Sequence, residues 1–265
     1  MKKKLLLVLV ASLGQLLSGC VVYMPVQCAA PQITGRRQAE VSGSSYLNGR
    51  VEAAGTYSPL PHLLLRAAYS SKGDDATDSS YYRGRQYDLG LGTYWSLSPN
   101  WLVGGLGGFG QARGAAGYYE GGSLLGFRRP VRHDFEMRYR KVFGEVYIIC
   151  QADDLFSLGL AYRVTQVDFT TLTDQALPVN VRAMTRSEPM LFLRTRLGSG
   201  PPDARPVQLQ LAWGASATFG YNASDPGQAL SSEQAIKQSR GYITLGVSAF
   251  PYCLFRQRKV ESARR

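Results

Sequence analysis

The chain is poor in the residues that most often carry catalysis or bind metals. Its 265 residues include two histidines and four cysteines. No two cysteines are spaced as CxxC, which excludes zinc ligation by the usual spacings. The sequence has neither a GxSxG nucleophile elbow nor a P-loop with its lysine, and the glycine-rich stretch 104–110 does not open a helix. We therefore predict no catalytic residues, no metal and no cofactor.

Charge is sparse as well, and the rest of the composition favours strands. Charged residues are 18% of the chain and aromatic residues 11%, which excludes a disordered protein. The 29 glycines argue against a helical protein, because each would cost roughly 0.5–1 kcal/mol in a helix interior. Together with 16 tyrosines, they indicate the all-β class. The net charge is +11.

The first twenty residues have the layout of a secretory signal. Lysines at 2–4 precede the apolar run 5–11, which is too short to span a bilayer. The segment ends in Leu17-Ser18-Gly19-Cys20, which resembles the cleavage motif of bacterial lipoproteins. This resemblance implies a signal peptide at 1–19 and acylation of Cys20, whose chains would hold the protein on a membrane by about 0.8 kcal/mol per buried CH₂. An ordinary signal peptide that happens to contain a cysteine is the alternative.

After a proline-containing leader, apolar and polar residues alternate with period two. Between 207 and 219 every second residue is aliphatic, aromatic or alanine, and those between are small or polar. The same scheme recurs near 87–95, 156–165 and 243–249. Thirteen alternating residues exceed the usual five or six of a strand. Such long strands favour a transmembrane barrel over a soluble sandwich or barrel, although alternation alone does not tell which face is inside.

Turn signals divide the chain into ten strands. The expected strands are 37–46, 50–58, 62–71, 82–97, 101–114, 134–150, 155–169, 187–197, 205–220 and 240–254. Short connections, such as Asn48-Gly49 and 98–100, contrast with longer polar ones at 71–80, 115–132, 171–186 and 221–240. We predict an antiparallel up-and-down barrel in which Cys20 and the C terminus share one end. Eight strands are the alternative if the first two form a leader ribbon.

The expected strand 134–150 does not keep one apolar face. Continuing the face of Phe135 and Tyr139 would put Lys141 and Glu145 in lipid, at a cost of up to ~2–4 kcal/mol each. We predict either a β-bulge near 141–143, which would turn Val142 outward, or a strand that extends beyond the membrane.

Residues 36–255 resemble small outer-membrane β-barrel proteins of Gram-negative bacteria, some of which carry a lipoprotein signal. The resemblance rests on segments such as 50–59, 87–94 and Gly241-Tyr242-Ile243-Thr244-Leu245-Gly246-Val247. It implies the barrel fold and an outer-membrane location. One departure is the basic tail 256–265, because such barrels usually end in an aromatic residue. We therefore divide the chain into signal peptide 1–19, lipid-anchored leader 20–35, barrel 36–255 and tail 256–265.

Few residues remain as candidates for chemistry. His62 is expected in a turn, and His133 beside Asp134 is the one candidate base for a lipid-modifying enzyme. Cys150 and Cys253 fall at strand ends on one side, so either a disulfide or two free thiols fits. Glycines at 104–110 are expected to relieve crowding inside a narrow barrel.

The charged residues suggest where the barrel meets its surroundings. Six are expected to pair in a plugged lumen: Arg50, Glu52, Arg66, Asp88, Arg163 and Arg194. A basic cluster at 128–132 and the basic tail suit anionic lipid or polysaccharide, not nucleic acid. We predict a monomeric, non-enzymatic outer-membrane lipoprotein with a structural or surface-interaction role, which contacts lipid through Cys20 and the barrel exterior. A tethered periplasmic β protein with a small or lipidic ligand, or a lipid-modifying enzyme, is the alternative.

Overall fold

A computed structural model describes residues 22–73, 80–120, 131–198, 205–221 and 231–253. It contains eleven strands and a six-residue helix, α1 (Ser232–Lys237). The strands are β1 (Ala39–Tyr46), β2 (Val51–Tyr57), β3 (Leu64–Lys72), β4 (Tyr81–Ser98), β5 (Trp101–Glu120), β6 (Val131–Gln151), β7 (Phe156–Asp174), β8 (Leu177–Pro178), β9 (Ala183–Leu197), β10 (Val207–Thr218) and β11 (Arg240–Ala249). None of the helices within these ranges is long and apolar enough to cross a bilayer.

Ten of the strands form a closed antiparallel barrel. Neighbours in sequence are neighbours in space, β11 pairs with β1, and β7 pairs directly with β9. The two-residue β8 pairs only with the end of β7. The predicted up-and-down barrel of ten strands is confirmed, and the eight-strand alternative is wrong because β1 and β2 are part of the wall.

The stagger of the strands sets the width of the barrel. Following the paired residues once around the wall from Trp101 returns to Arg113 on the same strand, twelve residues further along. This stagger suits a strand tilt in the usual range of about 35–45°. Ten tilted strands spaced about 4.8 Å apart give a wall with a radius of about 10 Å. Such a barrel holds its inward side chains and little more than one extended chain.

The two ends of the barrel differ, as the turn signals predicted. We call one the turn end, where the links β2–β3, β4–β5 and β6–β7 are short, and the other the loop end. The strands run further toward the loop end than expected: β5 continues to Glu120 and β6 begins at Val131, so part of the predicted connection 115–132 is strand. The last strand is shorter than expected and ends at Ala249.

Strand β6 alternates without interruption, so the predicted bulge within it is wrong. Phe135 and Tyr139 face inward together with Lys141 and Glu145, while Val142 is exposed on the outside. The register shift between β6 and β7 falls beside Arg138 and Tyr139, where β7 contributes the extra residue. The expectation that this apolar face contacts lipid is wrong, because the apolar side chains near the loop end point into the barrel.

Candidate functional site in the barrel lumen

The lumen is filled by the protein's own N-terminal segment. All twelve residues from Val22 to Ile33, here called the thread, are buried, and fully extended they span at most about 40 Å. Val22 packs at the loop end with Phe135, whereas Ile33 packs at the turn end with Leu64. The thread therefore runs the length of the barrel and enters β1 at the turn end. The mature chain was predicted to begin at the same end of the barrel as the C terminus. For the residues that the structure describes this is wrong, because Val22 lies at the loop end and β11 ends at the turn end.

A chain in the middle of a barrel has no neighbouring strand, so side chains must satisfy its backbone. Three luminal carboxylates accept its amide hydrogens. The bonds run from Gln27 N to Glu52 Oε2 (3.1 Å), from Ala29 N to Glu145 Oε1 (3.0 Å) and from Gln32 N to Glu40 Oε2 (2.8 Å). Pro25 and Pro31 have no amide hydrogen to satisfy.

Luminal arginines donate to the carbonyl oxygens of the thread. The donors are Arg50 to Pro25 O (2.6 Å), Arg194 to Ala30 O (2.6 Å), Arg66 to Gln27 O (3.4 Å) and Arg163 to Val26 O and Gln27 O (both 3.4 Å). Gln86 adds a bond to Met24 O (3.1 Å). The barrel thus binds the backbone of the thread as a neighbouring strand would, except that charged side chains of the wall replace the backbone groups of a strand.

The same charges pair with one another. Arg163 bridges two carboxylates, with Nη2 2.6 Å from Glu145 Oε2 and Nη1 3.3 Å from Asp88 Oδ2. Lys141 Nζ lies 2.8 Å from Asp88 Oδ1, and Arg66 lies 3.8 Å from Glu52. The predicted inward position of all six luminal charges is confirmed. Arg50 and Arg194 bind thread carbonyls, which the sequence did not suggest.

Little space remains beside the thread. The cavity between it and β1–β3, bordered by Glu40, Glu52 and Arg66, has a volume of about 30 Å³, enough for one water molecule and no organic ligand. Glycines on β5 create the room that exists. A Cβ at Gly104 would lie 2.3 Å from the ring of Tyr147, and one at Gly110 would lie 2.4 Å from Asp88 Oδ1. This confirms that glycines of 104–110 relieve crowding in the lumen.

The loop end is closed by an apolar core and by α1. Its buried members are Val22, Tyr23, Met24, Tyr82, Ala116, Tyr118, Phe135, Met137, Tyr139, Val167, Leu172, Val181, Met184, Ala235 and Ile236. Arg186, fully buried, donates to Lys237 O and Gln238 O at the end of α1 and to Ser216 and Thr218 on β10. Arg186 therefore fastens α1 over the start of the thread.

His133 belongs to this lid and contacts an acid from another strand. Its Nδ1 lies 2.6 Å from Asp174 Oδ2, and Ser232 on α1 donates to the same oxygen at 2.7 Å. The neighbouring Asp134 instead accepts from Tyr81. Because Ser232 bonds to Asp174 and not to His133, these contacts do not form the hydroxyl-to-base pair of a nucleophilic site. They tie α1 to β6 and β7.

The remaining sequence candidates lie apart. His62, in a turn at the other end, contacts Tyr94 O through Nδ1 at 2.8 Å and stacks on Trp95. Within the described ranges Cys28, Cys150 and Cys253 form no disulfide, so the disulfide alternative is wrong. Cys150 faces outward, while Cys253 is buried. No group of three or more potential metal ligands occurs in the described ranges. Cys20, the signal peptide, most of the 128–132 cluster and the tail lie outside those ranges.

Comparison with known proteins finds similarity of fold only. No protein-family model and no curated protein matches the chain. Several solved structures of low sequence identity resemble it, including an outer membrane protease, a β-barrel domain and a porin. The outer membrane protease OmpT of Escherichia coli is 11% identical over 82% of this chain and 94% of its own (TM-score 0.45). The N-terminal β-barrel domain of Pseudomonas aeruginosa OprF is 9% identical over 82% and 98% (0.29), and the NanC porin is 11% identical over 80% and 98% (0.33). Since one fold hosts unrelated functions, no residue role transfers from them.

Proposed function

We propose that this chain is an integral outer-membrane β-barrel lipoprotein, monomeric and non-enzymatic, with a structural or surface-interaction role. Its lumen is closed by its own thread, and acylated Cys20 provides a second anchor. The single observation that carries the proposal is the thread itself, held through its backbone by charges of the barrel wall along the whole lumen.

The exterior of the barrel supports insertion in a membrane. Large apolar side chains are exposed around the whole circumference, on strands whose inward faces include the luminal charges. They include Val41, Val51, Leu65, Leu89, Leu91, Phe109, Val142, Val146, Leu158, Leu160, Leu191, Leu193, Leu209, Leu245 and Val247. Soluble monomers rarely expose continuous apolar surface of this extent. A polar lumen with an apolar outer band is the pattern of a membrane barrel.

The direction of the thread supports an anchor at the loop end. Two residue steps separate Cys20 from Val22, and an extended chain advances at most about 3.6 Å per residue. In bacterial outer-membrane barrels the longer connections face outward and the short turns face the periplasm. We therefore propose that the acylated N terminus emerges on the cell-surface side, while the C terminus lies in the periplasm.

Fractionation of cells tests the membrane barrel. Cells expressing the wild type or Cys20→Ala are fractionated and their membranes are extracted with carbonate. We expect the variant to stay in the outer membrane and to keep heat-modifiable migration in gels. Release of a folded, soluble variant would overturn the integral barrel and favour the tethered periplasmic alternative, although that alternative has no free lumen for a ligand.

An epitope tests the direction of the thread. Inserted between Cys20 and Val22, it should bind antibody on intact cells, because it would lie at the cell surface. The matched control is the same epitope in the turn between Ala152 and Leu155, which should bind only after permeabilisation. Binding at Cys20 only after permeabilisation would contradict the surface position without affecting the membrane barrel.

The enzyme alternative is tested through His133. If the cluster only ties α1 to the wall, His133→Ala and Ser232→Ala should leave the acylation of membrane lipid unchanged. The non-enzymatic proposal would be contradicted if the wild type changes the acylation of membrane lipid and a folded His133→Ala variant does not.

A further inference from the structure

A row of three arginines crosses the outside of the barrel. Arg85 on β4 pairs with Arg113 on β5, which pairs with Arg138 on β6, and all three are exposed. Residues directly opposite on antiparallel strands have Cβ atoms about 4.5–5.5 Å apart, a spacing at which like charges destabilise the sheet. Three such charges side by side therefore call for an anionic partner.

The surroundings do not neutralise the row. Arg83 and Arg140 extend it to five arginines. Two acidic side chains are exposed nearby: Glu136, two residues from Arg138 on β6, and Asp168, which pairs in register with Arg140. Across the residues that the structure describes, none of the five arginines has a carboxylate within ion-pair distance. The arginines of the patch outnumber its two acids, in contrast to the luminal charges, which pair with carboxylates or bind the thread.

The height of the row on the barrel matches a membrane surface. Four residues closer to the turn end, the same three strands expose Leu89, Phe109 and Val142. Four residues on strands tilted by about 35–45° correspond to roughly 10 Å along the barrel axis. The flexible arginine side chains can cover part of this distance with their alkyl stems while the guanidinium groups stay in the polar layer. Guanidinium groups here would lie at the level of lipid head groups.

Open grooves flank the row. One, of about 640 Å³, is bordered by Tyr69, Tyr87 and Arg140, and another, of about 530 Å³, by Lys72 and Arg83; both share the three arginines. Guanidinium groups bind phosphate oxygens in a bidentate manner. We propose that Arg85, Arg113 and Arg138, with Arg83 and Arg140, form a binding site for the phosphate groups of an anionic membrane lipid. This inference rests on the membrane barrel proposed above.

Lipid retention by the purified full-length protein tests the site. Native mass spectrometry from nonionic micelles containing phosphatidylglycerol, or phosphatidylcholine with the same acyl chains, measures the apparent Kd for each. Removal of one arginine near a membrane surface should weaken anionic-lipid binding about fivefold, and of three about 100-fold. We expect this for the triple variant R85Q/R113Q/R138Q, with no change for phosphatidylcholine.

The control variant R36Q/R37Q/R182Q removes the same charge from exposed residues elsewhere and should bind as the wild type does. R85K/R113K/R138K keeps the charge but not the forked geometry, so it should lose less binding than the glutamine variant. Heat-modifiable migration verifies that each variant is folded. Three results would overturn the site. The wild type could bind both lipids equally, the control variant could lose as much binding as the triple variant, or soluble glycerol phosphate could bind as tightly as the lipid. In each case, carbonate-resistant membrane association would leave the barrel proposal intact.

Discussion

The two halves of β6 put opposite kinds of side chain on the outside of the barrel. Between Val131 and Arg140 the inward residues are mostly aromatic and the outward ones charged, such as Phe135 against Arg138. From Lys141 to Gln151 the charges Lys141 and Glu145 point inward among apolar residues such as Tyr147, and Val142 and Val146 point outward. The neighbouring β4, β5 and β7 change in the same way at a similar level.

This difference shows how one strand serves two solvents. Near the loop end the barrel is built like a soluble protein, with an apolar core and a charged exterior. Near the turn end it has the apolar exterior of a membrane barrel, around a lumen that holds both the paired charges and an apolar cluster including Leu64, Tyr147 and Phe192. No change of register within β6 is needed, because an exchange of residue types on the outer face, from charged to apolar, is enough. The level of the exchange marks where the proposed membrane ends.

The largest effect is expected from breaking the charges inside the turn-end half. Arg163→Ala leaves Glu145 and Asp88, both buried, without their shared partner, which should cost about 3–5 kcal/mol. Urea unfolding in detergent micelles measures the loss. Arg163→Lys keeps a charge but not the forked geometry and should lose less. A cost of under 1 kcal/mol for Arg163→Ala would mean that the luminal network does not hold the barrel together.

A charge on the outside should be tolerated in only one half. Val146→Arg puts a cation in the apolar band and should destabilise the barrel in lipid vesicles by about 2–4 kcal/mol. The matched change Thr173→Arg, outward on the loop-end half of β7 and opposite Glu136, should alter stability by about 0.5 kcal/mol or less. Equal costs at both positions would remove the distinction between the halves.

A smaller effect is expected from trimming the loop-end core. Ile236 on α1 is fully buried against the start of the thread, and Ile236→Val should cost about 0.5–1.5 kcal/mol. Because the change is local, hydrogen exchange should accelerate in α1 while amides of the turn-end half keep their protection. Uniform acceleration throughout the barrel would show that the two halves unfold as one unit.

The smallest effect is expected in the turn between β6 and β7. The pKa of Asp153 is lowered because the backbone amides of Phe156 and Leu155 donate to its carboxylate. A lowered folded-state pKa stabilises the fold above the unfolded value of about 3.9, and this contribution is lost as the pH falls through the lowered value. Asp153→Asn should therefore reduce stability slightly at neutral pH and not at all in strong acid. A difference that persists in acid would point to a cause other than the charge.

Local patterns predicted the wall of the barrel well. Period-two alternation located all ten strands. The lengths of the connections distinguished the two ends, except that the short Asn48-Gly49 turn lies at the loop end. Long-range packing caused the errors. At Phe135, Met137 and Tyr139 the apolar set was assigned to lipid, because alternation separates two faces without telling which is inside. β5 and β6 extend further than predicted, because small residues at 114–117 in β5 and polar residues at 132–134 in β6 resemble a loop.

The site was predicted only in part. Inward charges such as Arg163 and Asp88 followed from alternation, but their main partner did not. Residues 22–33 were interpreted as a leader, because prolines and small residues without periodicity are typical of a connection. The one indirect indication was the excess of arginine over acid among the expected luminal charges, which left residues such as Arg50 and Arg194 in need of another partner.

By itself the sequence determined an all-β chain with ten alternating strands, two unlike ends and charges that must avoid lipid, since these follow from the types and spacing of neighbouring residues. Only the tertiary structure decided what fills the barrel and which way the thread runs. Ala29 bonds to a carboxylate 116 residues away, and the Ala30 carbonyl to an arginine 164 residues away. Contacts of that separation exist only once the wall has closed, because closure is what brings distant charges around a single extended chain.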